Sequence, residues 1–248
     1  EKGYLIEGVD QVDGSVYHIV DFDSMVITSI EDEENARISA VISKDDGESW
    51  SERFVLFEKP KNSVNIMSLS FLRMKNGDIG AFYIVKISDG TDRIVFRRSS
   101  DECKTWSDPV NCLDCLEKQD YYILNNDRVV MLKNGRIILS LARHSVYENK
   151  DFPPGLICFV ISDDDGKTWF KTETELLCPF INNIDGYEEP GLYVLPDGKI
   201  WCYIRTDIGF QFEAFSEDNG ITWTAPEPNL FFSSPCSPML IKDCGKYT

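Results

Sequence analysis

Apolar residues in this chain gather in runs of strand length rather than recurring at helical spacing. Val129-Val130-Met131-Leu132, Ile137-Ile138-Leu139-Ser140-Leu141, Leu156-Ile157-Cys158-Phe159-Val160 and Ile200-Trp201-Cys202-Tyr203-Ile204 are short and rich in β-branched or aromatic residues, as strands are. No long segment keeps an apolar face at the helical period. Turns ending in glycine lie between such runs: Val12-Asp13-Gly14, Lys75-Asn76-Gly77, Lys133-Asn134-Gly135 and Pro196-Asp197-Gly198, the glycines 63, 58 and 63 residues apart. Each predicts a hairpin, so the expected fold class is all-β.

A second period runs beside the first. The octet Ser43-x-Asp45-x-Gly47-x-x-Trp50 recurs from Ser99 to Trp106, from Ser162 to Trp169 and from Ser216 to Trp223, with starts 56, 63 and 54 residues apart. All four copies keep the serine, the central aspartate and the tryptophan; the second has Cys103 in place of glycine, and its turn is expected to be distorted if a positive φ is required there. A short aspartate can close such a turn by accepting backbone N–H bonds, and the tryptophan can fill apolar space between strands. Units of about 60 residues, each a hairpin followed by a second turn, predict the four-stranded blades of a β-propeller.

Charge narrows the possible partners. Against 25 Lys and Arg stand 42 Asp and Glu, a net charge of −17, and the longest basic run is the pair Arg97-Arg98; nucleic acid and anionic membrane surfaces are not expected partners. Apolar stretches such as Gly155 to Ile161 are far too short for a membrane helix. Cys112 and Cys115 form a lone C-x-x-C without a second pair, and the two histidines, His18 and His144, are distant, so neither a metal nor a cofactor is expected. Asp164-Asp165-Gly166-Lys167-Thr168 fails as a phosphate loop and as a calcium loop, because Ile161 stands where the one needs glycine and the other an acid. Cys158 and Cys202 sit in apolar runs, as reduced thiols do, and no signal segment opens the chain. A cytoplasmic location is therefore expected ahead of a secreted one.

The octet resembles the Asp-box of sialidases and related bacterial neuraminidase-repeat proteins. That resemblance implies a six-bladed propeller with the boxes on its outer rim, away from the reaction. This chain is then expected to hold a single domain, 1–248, with about four of the six blades, cut short at its C-terminal end.

Nine residues before their hairpin glycines stand Ser68, Asn126 and Glu189. They mark the start of each innermost strand, where the blades ring the mouth of the channel. Asn65, Asn125-Asn126-Asp127-Arg128 and Tyr187-Glu188-Glu189 make this level polar, as a binding site is. With a three-residue loop at Pro196-Asp197-Gly198, Leu195 pairs with Lys199 and Glu189 faces Arg205; a two-residue loop would place Thr206 there instead. The same register around Gly135 sets Asp127 against Leu141 and Asn125 against Arg143. Glu189 and Arg205 then form either a functional pair or a structural cross-strand ion pair. Asn126, Asp127 and Arg128 are either ligand contacts or a hydrogen-bonded patch, with Arg143 and His144 as further candidates.

The resemblance gives these residues roles. Sialidases carry a glutamate followed sixteen residues later by an arginine across such a hairpin, as Glu189 and Arg205 are. By that likeness Glu189 is the catalytic base for a tyrosine nucleophile, and Arg205 belongs to a clamp on the substrate carboxylate; Asn126, Asp127, Arg128 and Arg143 are the expected further substrate contacts from their place near the channel mouth. The implied activity is exo-glycosidic hydrolysis of a terminal acidic sugar, sialic acid, from a glycan. The alternatives are a propeller that binds carbohydrate or protein without hydrolysis, and an exo-glycosidase for another sugar. Asp32 is the candidate acid, and Tyr187 has the wrong chain order for the nucleophile. The 248-residue piece alone is expected to be inactive, the nucleophile and further arginines falling beyond it.

Overall fold

The computed structural model describes residues 15–21, 24–30, 36–43, 45, 48–88, 91–116, 121–144, 155–178, 186–232 and 241. Strands β1 (Ser15–Asp21), β2 (Ser24–Ile30), β3 (Arg37–Ser43) and β4 (Phe54–Glu58) form the first antiparallel sheet. The second holds β5 (Asn65–Arg73), β6 (Ile79–Ser88), β7 (Thr91–Ser99) and β8 (Val110–Asn111). In the third, β10 (Val129–Met131), β11 (Ile137–His144), β12 (Leu156–Ser162) and β13 (Phe170–Leu177) follow in order, and β9 (Tyr121–Ile123) also pairs with β11. The fourth is β14 (Glu188–Val194), β15 (Ile200–Arg205), β16 (Phe210–Ser216) and β17 (Glu227–Phe232). Every sheet runs in chain order, and the innermost strands β1, β5, β10 and β14 touch their successors. This is the succession of blades in a sialidase-like β-propeller, of which the chain holds part.

Side-chain alternation explains how the blades adhere. All seven residues of β12 are buried, because this strand has a blade on either side. Leu156, Cys158 and Val160 join Phe82, Ile94 and Phe96 of the second blade, whereas Ile157, Phe159 and Ile161 join Ile204 and Phe212 of the fourth. Successive Cβ atoms point to opposite faces of a strand, so one apolar run supplies two cores. Burying a leucine or phenylalanine side chain contributes about 1.5 to 3 kcal/mol.

Each box closes as the sequence requires. Asp164 Oδ1 accepts from the backbone N–H groups of Lys167 and Thr168 at 3.1 and 2.8 Å, and Oδ2 accepts from the Thr168 hydroxyl at 2.6 Å. Asp101 and Asp218 repeat this set. Three of the box tryptophans lie between blades rather than between strands of one sheet: Trp223 stacks on Phe159 at 4.2 Å, Trp106 meets Phe57 edge-on at 5.0 Å, and Trp169 meets Phe82 edge-on at 6.1 Å.

The expected distortion at Cys103 is absent. Cys103 takes a φ of 64°, in the left-handed region that Gly166 and Gly220 occupy, and its N–H donates to Ser99 Oγ at 2.9 Å as theirs do to Ser162 and Ser216. Gly166 and Gly220 press on the preceding blade so closely that a Cβ would lie 2.4 Å from Phe96 and 2.7 Å from Ile138. Cys103 instead packs its side chain into the core between the first two blades.

Candidate active site

Proline, aspartate and glycine at 196–198 set the hairpin at the foot of the fourth blade's inner strand. Gly198 has a φ of 91°, its N–H donates to the Leu195 carbonyl at 2.9 Å, and Leu195 N–H donates to Lys199. The three-residue-loop register holds from Val194, opposite Ile200, to Gly191, opposite Tyr203. It then slips by one residue, and Glu188, not Glu189, stands opposite Arg205. The cause is a bulge at Glu189, whose φ of 45° lies in the left-handed region. Gly191 lets the ring of Tyr203 lie against the backbone, since a Cβ there would be 2.1 Å from it.

The bulge presents two carboxylates to one guanidinium. Arg205 Nη1 donates to Glu189 Oε2 at 2.5 Å, while Nη2 contacts Glu188 Oε2. The side chains of Arg205, Glu188 and Glu189 are 12%, 17% and 21% exposed, so the cluster is mostly sheltered yet reaches solvent. Its sum of charges is −1. Glu188 is the residue that pattern reasoning passed over, and its signal was the doubled glutamate at a strand start.

The third blade contributes less than the register had promised. The sequence pairing holds for Val129, Val130 and Met131 against Leu139, Ile138 and Ile137, but residues 124–128 then form a loop, and Arg143 pairs with Tyr122 instead of Asn125. Asp127 does not face Leu141 either; it turns through a left-handed φ of 55°. Arg143 reaches across its own sheet to Glu175, at 3.5 Å, with Lys171 also on that carboxylate, away from the Glu189 cluster. His144 lies against Tyr121.

Arg128 is brought toward the cluster. It is buried, and its guanidinium carbon lies 5.7 Å from the ring centre of Tyr203 in the next blade. Its N–H donates to Ser70 Oγ, which in turn donates to the Asn125 carbonyl. Asn126 and Asp127 are half-buried in the same loop, and the two bonds to Ser70 tie this loop to the second blade's inner strand. Tyr203 O–H also accepts from Ile241 N–H at 3.3 Å. Ser68 shares the conformation of Glu189, with a φ of 57°.

Two other candidates resolve differently. Tyr187 is fully buried against Phe212, and burial pushes its phenol well above the ordinary range. Asp32 lies outside the described residues. Among the described residues no group of three or more His, Cys, Asp or Glu could hold a metal ion, and Cys112 and Cys115 are free thiols, Cys112 raised well above the ordinary thiol range by burial.

A family model for the BNR repeat-like domain matches residues 28–235. Among solved structures, the chain resembles a Hadza microbial sialidase at 16% identity and a TM-score of 0.64, over 82% of this chain and 44% of that one. It resembles the NanB sialidase of Streptococcus pneumoniae at 14% identity and a TM-score of 0.66, over 91% and 52%. A Dyadobacter fermentans protein of unknown function matches at 20% and 0.64, over 87% and 65%. The chain thus spans less than two thirds of each of these structures. No curated protein matches it in sequence.

Proposed function

We propose, from the premise that this chain belongs to the BNR repeat-like domain family, that it is part of an exo-glycosidase that removes a terminal acidic sugar, sialic acid, from a glycan. The observation that carries this reading is Glu189, held on a strained bulge at the start of the inner strand with Arg205 of the adjoining strand against it. Left-handed non-glycine residues cost about 1 to 3 kcal/mol and cluster at working sites. In this reading Glu189 takes up the proton that a hydroxyl nucleophile gives up as it attacks the anomeric carbon. Arg205 holds Glu189 in place and supplies positive charge beside the sugar carboxylate. Asn126, Asp127 and Arg128 bind the sugar from the adjoining blade, and Arg143 steadies the third blade through Glu175. The sialidases among the structural neighbours support the class of reaction.

A second reading has its own observation. Arg205 is neutralised by two carboxylates, and a sugar acid entering there meets a cluster of net charge −1. A sugar without a carboxylate avoids that repulsion. Release of a chromophore from aryl glycosides by the full-length protein decides between them. Turnover of an aryl sialoside that falls by at least a hundredfold in Glu189→Gln and Arg205→Ala supports the first reading; turnover confined to neutral aryl glycosides supports the second. A protein that binds sugars and turns over none is a lectin-like propeller, and both readings fall.

A further inference from the structure

The outer strands of the first two blades are short. β4 has five residues and β8 has two, so the space between these sheets is left unfilled toward the outside. A cavity of about 370 Å³ occupies it. Only residues of these two blades and their connections line it, whereas Glu189 and Arg205 belong to the fourth.

Strand β7 decides the chemistry of this cavity. Its Ile94 and Phe96 turn toward the third blade, and alternation therefore sends Arg93, Val95 and Arg97 into the cavity. Residues two apart on a strand stand about 7 Å from one another on the same face, so the two arginines flank one patch of Val95. Phe57 and Tyr83, stacked at 4.7 Å, form the inner wall, and Arg97 lies over the Phe57 ring at 5.7 Å.

These two arginines also lack a carboxylate partner among the described residues. Arg73, Arg98, Arg136, Arg143 and Arg205 each face a carboxylate. Among the described residues neither Arg93 nor Arg97 forms an ion pair, although the chain carries 42 acidic residues. Among the described residues Glu58 is the one carboxylate lining the cavity, and it pairs with neither. Two guanidinium groups without carboxylate partners, Arg97 against the Tyr83 phenol and the Phe57 ring, beside apolar walls in a strongly acidic protein are complementary to an anion that has an apolar body.

We propose that the cavity between the first two blades binds a small organic anion, a carboxylate carried on a ring, with the carboxylate against Arg93 and Arg97 and the ring against Val95 and Val85. The probe is 2-naphthoate, titrated into the full-length protein and followed by its fluorescence, beside the neutral isostere 2-naphthamide. Saturable binding of the carboxylate that weakens as salt is added, with the amide binding at least tenfold more weakly, is expected. Arg93→Gln and Arg97→Gln should each raise the Kd about tenfold, as the loss of a charge-assisted contact does, and Glu189→Gln should leave it unchanged. Arg93 is exposed, so Arg93→Gln keeps the fold and carries the test should Arg97→Gln unfold. Absence of saturable binding, equal binding of acid and amide, or indifference to Arg93→Gln overturns the proposal.

Discussion

Ser68 and Glu189 occupy the same place in two blades, nine residues before their hairpin glycines, and both have a left-handed φ, 57° and 45°. In each case the ladder slips by one residue there: Met67 pairs with Ile84 but Ser70 with Phe82, and Gly191 pairs with Tyr203 but Glu188 with Arg205. Of these two bulges, the one in the fourth blade carries a charge. Ser68→Gly should therefore stabilise the protein by about 1 kcal/mol by relieving the strain, read as a higher urea midpoint. Glu189→Gly relieves the same strain but deprives Arg205 of one of its carboxylates, and is expected to gain less or to lose. Equal gains in both variants would mean that the Glu189–Arg205 contact contributes nothing to stability.

Arg136 ties the third blade to the fourth. Its Nε and Nη2 donate to the two oxygens of Asp163 at 2.7 and 2.8 Å, and Nη1 donates to the Asn219 carbonyl at 3.0 Å, in the box of the next blade. Arg98 repeats the reach by donating to the Asp165 carbonyl. Arg136→Ala should cost about 1 to 3 kcal/mol in chemical denaturation. Arg136→Lys should recover less than half of this, since an ammonium cannot hold a carboxylate and a carbonyl in one planar fork. Full recovery by lysine would show that charge alone matters.

The blades were legible because they repeat. Gly77, Gly135 and Gly198 mark hairpins, and the serine, aspartate and tryptophan of the second, third and fourth boxes have the same work, whereas Trp50 of the first is exposed. Register was legible as far as ladders are regular, from Val194 to Gly191 and from Val129 to Met131. It failed at Glu189 and at Asp127 because a bulge formed by a non-glycine residue leaves no letter in the sequence. Nothing in the identity of glutamate announces a positive φ, and aspartate, though enriched there, signals it far less strongly than glycine does. Cys103 is the converse case: the letter departs from the pattern and the backbone does not. Arg143 was misplaced by the same slip, three residues of loop having been counted as strand.

Acid should loosen the boxes. Asp101 is held down to about 2, first by the Thr105 hydroxyl and N–H and then by the Ser99 hydroxyl, and Asp45 is lowered by Ser49 and Ser43 in the same way. A carboxyl whose folded value lies below its unfolded value contributes stability that is present above about pH 4 and is lost as the pH falls toward 2. Asp101→Asn should lower stability at neutral pH and flatten the decline between pH 4 and 2, measured as urea midpoints across that range. A decline as steep as in the parent protein would mean that this turn does not govern acid unfolding.

Asp92 should act in the opposite sense. It is 2% exposed at the start of β7, across from Lys86, and burial raises its carboxyl to about 7 against a partial counter-effect from Lys86. Oδ1 has no hydrogen-bond partner among the described residues. Folding therefore favours the protonated form. The folded chain holds a proton that the unfolded chain has released between about pH 4 and 7, and stability falls as the pH rises through that window. Asp92→Asn removes the charge while keeping the shape. It should melt close to the parent protein at pH 4 and above it at pH 8, by about 2 to 4 °C for each kcal/mol recovered. Melting curves recorded from pH 4 to 9 check this: a difference that widens with pH and levels off above 8 is expected, and parallel curves would mean that Asp92 is charged in the fold throughout.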